Sequence, residues 1–225
     1  MKKTFNHWNK GELQHEFNLQ LLEDCEALKA WLAMPDEIPI VLNDLEQNVL
    51  ELARSEAKIY IEEWNEWDLR DQFIGIIVKL AKFNDANRLI SAFSERIIGA
   101  NVKGVRNNQD IELSGKVDWM VASGMGIPKK PFFFIHEYKQ EGGGTRSNSG
   151  QLLATMLAAQ ELNGDGKPMY GAYVVGRNWF FVVLQGRTYC MTDAYVSTKE
   201  HELQEILRIL KAQKLMINER VAVDD

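Results

Sequence analysis

Two acidic side chains and one lysine lie on segments whose apolar residues alternate as they do in β-strands. Asp118 belongs to the run from Ile111 to Ala122, and Glu137 and Lys139 lie two positions apart in the run Phe132 to Lys139. Side chains two positions apart point to the same side of a strand, so Glu137 and Lys139 share a face. Carboxylates bind hard divalent cations, and a lysine stabilises developing negative charge. These residue types therefore suit a site that binds a divalent cation and stabilises negative charge in a reaction.

The period-two alternation also predicts which side chains of the first strand face the core. One face is predicted to carry the apolar residues Ile111, Leu113, Val117, Trp119 and Val121. Asp118 is predicted on the other face, near the end of the strand, together with Glu112, Ser114 and Lys116. In the second strand, His136 and Tyr138 are predicted to point away from Glu137. We interpret His136 as a structural residue rather than a metal ligand.

The pattern of Asp118 followed by Glu137-Tyr138-Lys139 resembles the PD-(D/E)xK nuclease superfamily, and it is similar to the nuclease domain of type I restriction subunits. The context of the motif supports the resemblance. The first strand carries the sequence Gly-Lys-Val-Asp, the second strand is apolar, and a helix is predicted to begin at Gly150-Gln151. Val117 stands where the family has a proline before the aspartate.

The resemblance implies a restriction-endonuclease-like fold, which is an αβββαβ core on a mixed α/β (α+β) sheet. From residue 65 the pattern predicts helix, three strands, helix, two strands and helix, and the first part of this order matches that core. We therefore divide the chain into an N-terminal helical extension, 1–64, and a nuclease-like domain, 65–225. Apolar residues at helical spacing predict helices over 12–33 and from about Asn43. These two helices are expected to form a hairpin that packs on the rest or pairs with a second copy in a homodimer.

The resemblance also implies a role for each site residue. Asp118 and Glu137 would bind Mg²⁺, or Mn²⁺ in its place, with the backbone carbonyl of Tyr138 as a third ligand. Lys139 would orient the attacking water or offset charge in the transition state. Gln151 would position water or the scissile phosphate, whereas without the resemblance it reads as a polar surface residue.

A third acid has two candidates. Glu66 lies in the first turn of the helix predicted to begin at Asn65, where the resembled domains often carry an acidic residue of the metal site. An ordinary first-turn carboxylate, favoured by the helix dipole, is the alternative interpretation of Glu66. Glu95 is the rival third acid. Lys139 also has a simpler interpretation, a cross-strand salt bridge to Asp118 or Glu137.

The glycine-rich segment between the second strand and the next helix is predicted to be a mobile lid or a loop that substrate orders. It runs from Glu141 to Gly150, and Arg146 is its one cation. Three consecutive glycines without a following Gly-Lys-Ser/Thr ending exclude a phosphate-binding P-loop.

Composition restricts the classes of function. The chain has 225 residues, 45% of them hydrophobic, which is enough for one good core. A formal net charge of −6 argues against a protein that coats nucleic acid, but it leaves room for a nuclease with locally grouped basic residues. Two cysteines give neither a disulfide framework nor zinc-ligand spacing. Because no segment reads as a signal peptide or a transmembrane helix, we expect a cytoplasmic protein with no membrane partner.

These observations lead to one expected function and several open alternatives. The expected function is a divalent-metal-dependent nuclease, a Mg²⁺-dependent endonuclease that acts on nucleic acid, with DNA favoured, in restriction, defence or repair. A non-catalytic binding or scaffolding protein of the same fold is the alternative, which the acidic charge favours. A small-molecule phosphohydrolase and an interaction protein that acts through the N-terminal hairpin also stay open. The choice between DNA and RNA is not settled by the sequence.

Overall fold

The computed structural model describes residues 2–105, 108–141 and 148–223. This part of the chain forms a nine-stranded sheet with helices on both faces. The helices are α1 (Lys10–Phe17), α2 (Glu26–Glu37), α3 (Asp44–Tyr60), α4 (Glu66–Asp68), α5 (Gly75–Ala81), α6 (Asn148–Asn163) and α7 (Glu200–Val223). The strands are β1 (Lys2–Thr4), β2 (Gln20–Leu21), β3 (Ile90–Lys103), β4 (Asp110–Ser123), β5 (Lys129–Lys139), β6 (Met169–Val175), β7 (Asn178–Gln185), β8 (Thr188–Met191) and β9 (Tyr195–Val196).

The sheet mixes parallel and antiparallel strands. Its order is β1-β4-β5-β6-β7-β8-β2, with β3 on the other edge of β4 and β9 beside β7. β3, β4 and β5 pair in an antiparallel series, and β6 returns parallel to β5 after α6. α4 and α5, joined by the π-helical residues Leu69–Ile74, precede this series. The mixed α/β class and the predicted order of helices and strands from residue 65 are therefore confirmed, with β8 and β9 as short additions.

Two apolar cores lie on the two faces of the sheet. We call the face covered by α2, α3, α5 and α7 the α7 face, and the face covered by α1 and α6 the α6 face. On the α7 face, Trp31 of α2 is fully buried, and its Nε1 donates a hydrogen bond to the carbonyl oxygen of Ile209 at 3.1 Å. On the α6 face, α6 is apolar almost all round, as predicted. Helices of that composition are buried, and seven apolar residues of α6 are at most 1% exposed: Leu152, Leu153, Ala154, Met156, Leu157, Ala158 and Ala159.

The first predicted helix, 12–33, is wrong as a single element. α1 ends at Phe17 because Asn18 adopts a left-handed conformation with φ of 55°, and β2 then separates α1 from α2. The leucines of this segment are spaced as in one helix, which hid the interruption. The second predicted helix is confirmed as α3, which Asn43 caps by accepting a hydrogen bond from the backbone N–H of Glu46 at 3.0 Å.

The start of the chain contributes strands as well as helices. β1 pairs in parallel with β4 over Glu112–Ser114, and β2 pairs in parallel with β8. α2 and α3 both pack against α7, which agrees with the expectation that the predicted helices pack on the rest of the chain. β1 therefore pairs with β4 along the same edge as β5, and β3 pairs along the other edge.

The predicted single apolar face of β4 is also wrong. Val117 packs in the core of the α6 face, together with Ile111 and Leu113, but Trp119 and Val121 pack on the α7 face. Beyond Asp118, the β4 side chains that pack on the α6 face are Met120 and Ala122. The side chains of β4 thus change faces at Asp118. The neighbouring strand makes the same change at Glu95, whose φ of 54° lies in the left-handed region that a regular strand does not use.

Candidate active site

The candidate site lies where β4 changes its pairing partner along one edge. β4 pairs with β1 through Ser114, and its pairing with β5 begins at Trp119, opposite His136. Asp118 lies in the gap between these two ladders. Its Oδ2 accepts a hydrogen bond from the backbone N–H of Tyr138 at 3.1 Å, so the aspartate side chain replaces the next backbone bond of the β4–β5 ladder. The two strands are therefore held together here by a carboxylate.

The change of faces in β4 brings Asp118 to the side of Glu137. Met120 and Ile135 face each other across the strands and both pack on the α6 face. The next opposed positions, Asp118 and Glu137, therefore also fall on the α6 face. Their carboxyl groups lie within hydrogen-bonding reach of each other. With unbroken alternation from Val117, Asp118 would point to the opposite face.

Glu137 is buried, with 2% of its surface exposed, and α6 holds its carboxyl group. Gln151 donates from Nε2 to Oε2 of Glu137 at 2.6 Å. Thr155, one turn further along α6, lies 3.4 Å from Oε1, although its single hydroxyl proton has a shorter contact, 2.9 Å, to the carbonyl oxygen of Gln151. Burial raises the pKa of Glu137 well above its ordinary value. The neighbouring charge of Asp118 raises it further, and Lys139 acts in the opposite direction.

The backbone carbonyl of Tyr138 points to the same gap. The carbonyl oxygen of Lys139 accepts a hydrogen bond from the N–H of Gly176, on the β6 side of β5. Adjacent carbonyls of a strand point to opposite edges, and the N–H and C=O of one residue point to the same edge. The Tyr138 carbonyl therefore points towards β4, as the Tyr138 N–H does in binding Asp118. Two carboxyl groups and one carbonyl oxygen thus converge at the gap.

Glu66 lies beside the site and holds Lys139. The Nζ of Lys139 is 3.1 Å from Oε1 of Glu66, and the two side chains are 28% and 43% exposed. Glu66 is in the first turn of α4, where Asn65 caps the helix by accepting hydrogen bonds from the backbone N–H groups of Trp67 and Asp68. The salt bridge of Lys139 is therefore made to α4 and not across the strands to Asp118 or Glu137.

Glu95 faces a different set of charges. Its carboxylate lies 3.4 Å from the Nη1 of Arg70 and 3.4 Å from the Nζ of Lys116. Arg70 also pairs with Asp71 at 2.6 Å and interacts with the hydroxyl group of Tyr138. Within the ranges that the structure describes, no group of three or more His, Cys, Asp or Glu side chains is arranged to hold a metal ion. The structure thus brings neither Glu66 nor Glu95 into one metal-binding group with Asp118 and Glu137.

The oxygen atoms at the gap suit a hard divalent cation. Mg²⁺ is commonly bound through one or two carboxylates and keeps several waters, so a third acidic ligand is not required. Burial, and then the neighbouring charge of Asp118, raise the pKa of Glu137, so a cation between the two carboxyl groups would stabilise the ionised form of Glu137. Asp118, Glu137 and the Tyr138 carbonyl therefore fit a Mg²⁺ or Mn²⁺ ion.

Sequence reasoning missed two residues around the site. Thr155 lies four positions after Gln151, and Arg70 lies four positions after Glu66, so each shares a helix face with a predicted residue. The four-residue spacing along a helix was therefore the sequence signal that could have identified Thr155 and Arg70. Arg146, the cation of the predicted lid, lies outside the described residues, as does most of that segment (142–147).

Comparisons with known proteins do not assign the chain to a family. A scan against protein-family models matched none of them, and no curated protein is significantly similar to the chain in sequence. No helix in the described ranges combines the length and the apolar character needed to cross a bilayer.

Proposed function

We propose that the chain is a divalent-metal-dependent nuclease of the PD-(D/E)xK type, with a restriction-endonuclease-like core and DNA as the expected substrate. The observation that carries the proposal is the pair of carboxyl groups of Asp118 and Glu137 at the gap between β1 and β5. Burying Glu137 beside the charge of Asp118 costs stability, because both the burial and that charge disfavour the ionised form of Glu137. A strongly perturbed carboxyl group of this kind is often found at a functional site.

The neighbouring groups of the chain fix the orientation of the proposed ligands. The backbone N–H of Tyr138 holds Asp118, and the amide of Gln151 holds Glu137. A bound Mg²⁺ or Mn²⁺ ion would polarise the phosphate and lower the pKa of a water molecule. The roles of Asp118, Glu137 and the Tyr138 carbonyl are then to hold that ion, and the role of Gln151 is to keep the Glu137 carboxylate aligned.

Lys139 supplies a positive charge next to the carboxyl pair. Its ammonium group has three protons, and one contact to Glu66 leaves two for a phosphate oxygen and the attacking water. In the hydrolysis, the attacking water loses a proton to solvent as its oxygen bonds to phosphorus, the P–O ester bond breaks, and the leaving oxygen takes a proton from solvent. Lys139 stabilises the negative charge that builds on the phosphate oxygens during this exchange. Glu66 is in this view a positioning residue that acts through Lys139.

The test is a cleavage assay with single- and double-stranded DNA and RNA, in Mg²⁺, in Mn²⁺ and in EDTA. We expect cleavage that requires the divalent ion. Lys139→Ala should lower the rate by at least about 100-fold, the effect of removing one charge-stabilising group. The control is Lys116→Ala, which removes a lysine of β4 that pairs with Glu95 and should leave the rate unchanged.

Protein stability separates loss of chemistry from loss of fold in this experiment. The Lys139–Glu66 pair is partly exposed, so its removal should change the free energy of unfolding by less than about 1 kcal/mol. Absence of cleavage of all four nucleic acids with either ion would overturn the proposal. Equal rates for the wild type and Lys139→Ala would remove Lys139 from the chemistry.

A non-catalytic protein of the same fold is the second candidate. It is favoured by the raised pKa of Glu137, since a protonated Glu137 next to Asp118 makes the pair stable without a metal ion. It is also favoured by the contact of Lys139 with Glu66. Titration calorimetry with MnCl₂ distinguishes the two. Binding that is lost in Asp118→Asn supports the nuclease, and no detectable binding to the folded wild type supports the non-catalytic protein.

A further inference from the structure

A cavity lies on the opposite side of the sheet from the carboxyl groups of Asp118 and Glu137. It is a cleft of about 740 Å³ on the α7 face, between α5, β3 and the side chains of Trp119, His136 and Tyr138. Its volume is within the range of small-molecule sites, roughly 300 to 1,000 Å³. Because β5 side chains alternate, His136 and Tyr138 face this cleft while Glu137 faces α6.

The charges at this cleft are mostly positive. Four basic side chains line it, Arg70, Lys79, Lys82 and Lys214, against one acidic side chain, Asp71, which is paired with Arg70. Lys82 lies 3.9 Å from Glu46, whereas neither Lys79 nor Lys214 has an ion pair with a residue in the described ranges. In a chain with a net charge of −6, this local excess of positive charge favours an anionic ligand.

His136 supplies a polar atom at the buried end of the cleft. The residue is 1% exposed, and its Nε2 is buried without a hydrogen-bond partner in the part of the chain that the structure describes. A neutral imidazole donates a hydrogen bond from one ring nitrogen and accepts one at the other. Buried polar groups are nearly always paired, so an unpaired Nε2 points to a ligand or a water molecule at this place.

The remaining walls are aromatic. Phe83 and Trp119 lie edge to face with ring centroids 5.4 Å apart, and Tyr138 lies beside them. Aromatic walls, one hydrogen-bonding atom and peripheral lysines suit a flat heterocycle that carries a phosphate group. We propose that this cleft binds one nucleotide unit, with its base against Phe83 and Trp119 near His136 Nε2 and its phosphate at Lys79 and Lys214.

A free nucleoside monophosphate and an unpaired nucleotide of a polynucleotide present the same chemistry to this cleft. The proposal goes beyond the nuclease activity and does not depend on it, because binding here needs no divalent ion. The experiment is titration calorimetry in EDTA with each of the four deoxynucleoside 5′-monophosphates, the matching nucleosides, inorganic phosphate and a short single-stranded DNA.

We expect at least one monophosphate or the oligonucleotide to bind about tenfold more tightly than the nucleosides or phosphate alone. Replacing Lys79 and Lys214 together by alanine should weaken that binding by about tenfold or more. Lys58→Ala is the matched control, since Lys58 is an exposed helical lysine that does not line the cleft, and this variant should bind like the wild type. Binding of free nucleotides identifies a mononucleotide site, and binding of the oligonucleotide alone identifies a polynucleotide site. No binding by either overturns the proposal.

The contribution of His136 is measured separately. His136→Phe keeps an aromatic ring and removes the nitrogen atoms, so it should weaken nucleotide binding about tenfold without changing the affinity for inorganic phosphate. If that variant does not fold, the ¹⁵N resonance of Nε2 in the wild type replaces it and should shift on nucleotide addition. Trp179, whose ring centroid lies 5.2 Å from that of His136, also has an unpaired Nε1. An unshifted resonance would show that the base does not reach His136, which overturns the proposed geometry.

Discussion

Replacing Glu137 by glutamine should make the protein more stable at neutral pH and abolish metal binding. Glutamine has the shape of a protonated glutamate, so it keeps the acceptor for Gln151 and offers an amide donor to Asp118. The pKa of Glu137 is raised in the folded protein, mainly by burial, from an ordinary value of 4.5. A group with a raised folded pKa contributes stability that is complete below its unfolded pKa and is lost as the pH rises through its folded pKa.

The size of this effect follows from one proton. Between pH 4.5 and the folded pKa of Glu137, the unfolded chain is ionised at this position and the folded protein is not. The free energy of unfolding of the wild type should therefore fall, relative to that of Glu137→Gln, by up to about 1.4 kcal/mol for each pH unit. Carboxylates with lowered pKa values, such as Asp71 and Asp85, act in the opposite direction but cancel in the difference between the two proteins.

Urea denaturation from pH 4 to pH 8, in EDTA, measures this difference. The two curves should meet at low pH and separate as the pH rises, with the glutamine variant the more stable. Glu56→Gln, on the exposed surface of α3, is the matched control and should run parallel to the wild type. Addition of MnCl₂ should stabilise the wild type alone and release one proton per ion bound. A difference that does not change with pH would refute the assignment of a protonated, paired Glu137.

Three further predictions concern the surroundings of the site and the core. Gln151→Ala should weaken Mn²⁺ binding by about tenfold in calorimetry, because it removes the donor that aligns Glu137, while Gln160→Ala on the same helix should not. Glu95→Gly should keep the free energy of unfolding, measured by urea denaturation, within about 1 kcal/mol of the wild type, because glycine accepts the positive φ. Glu95→Val should lower that free energy by about 1–3 kcal/mol, and equal effects would show that the backbone there relaxes. Trp31→Phe should cost about 1–3 kcal/mol in the same assay through its lost hydrogen bond and smaller ring, and a neutral result would mean that the indole nitrogen is satisfied elsewhere.

The local sequence was sufficient to predict most elements of the second half of the chain. Period-two alternation located β4 and β5, and the buried composition of α6 located the helix that carries Gln151. These patterns depend on neighbouring residues and on which faces are buried, so they can be read without knowing the partners. The order of elements followed from them.

The features that the sequence did not reveal depend on distant parts of the chain. The change of faces at Asp118 accompanies the positive φ of Glu95, a residue type that does not mark a left-handed conformation. β1 is only three residues long, and its pairing with β4 carries no local signal. In the same way, the contact of Lys139 with Glu66 joins residues that are 73 positions apart, and spacing along one element cannot predict it.

The parallel pairing of β1 with β4 has a consequence for how the protein acquires its shape. Lys2 pairs with Glu112, so β1 can join the sheet only after a partner more than a hundred residues later in the chain has been made. Contacts this distant in sequence are slow to form. Deleting residues 2–4 should therefore spare the helical signal in circular dichroism while uncovering the edge of β4 at Ser114, four positions before Asp118.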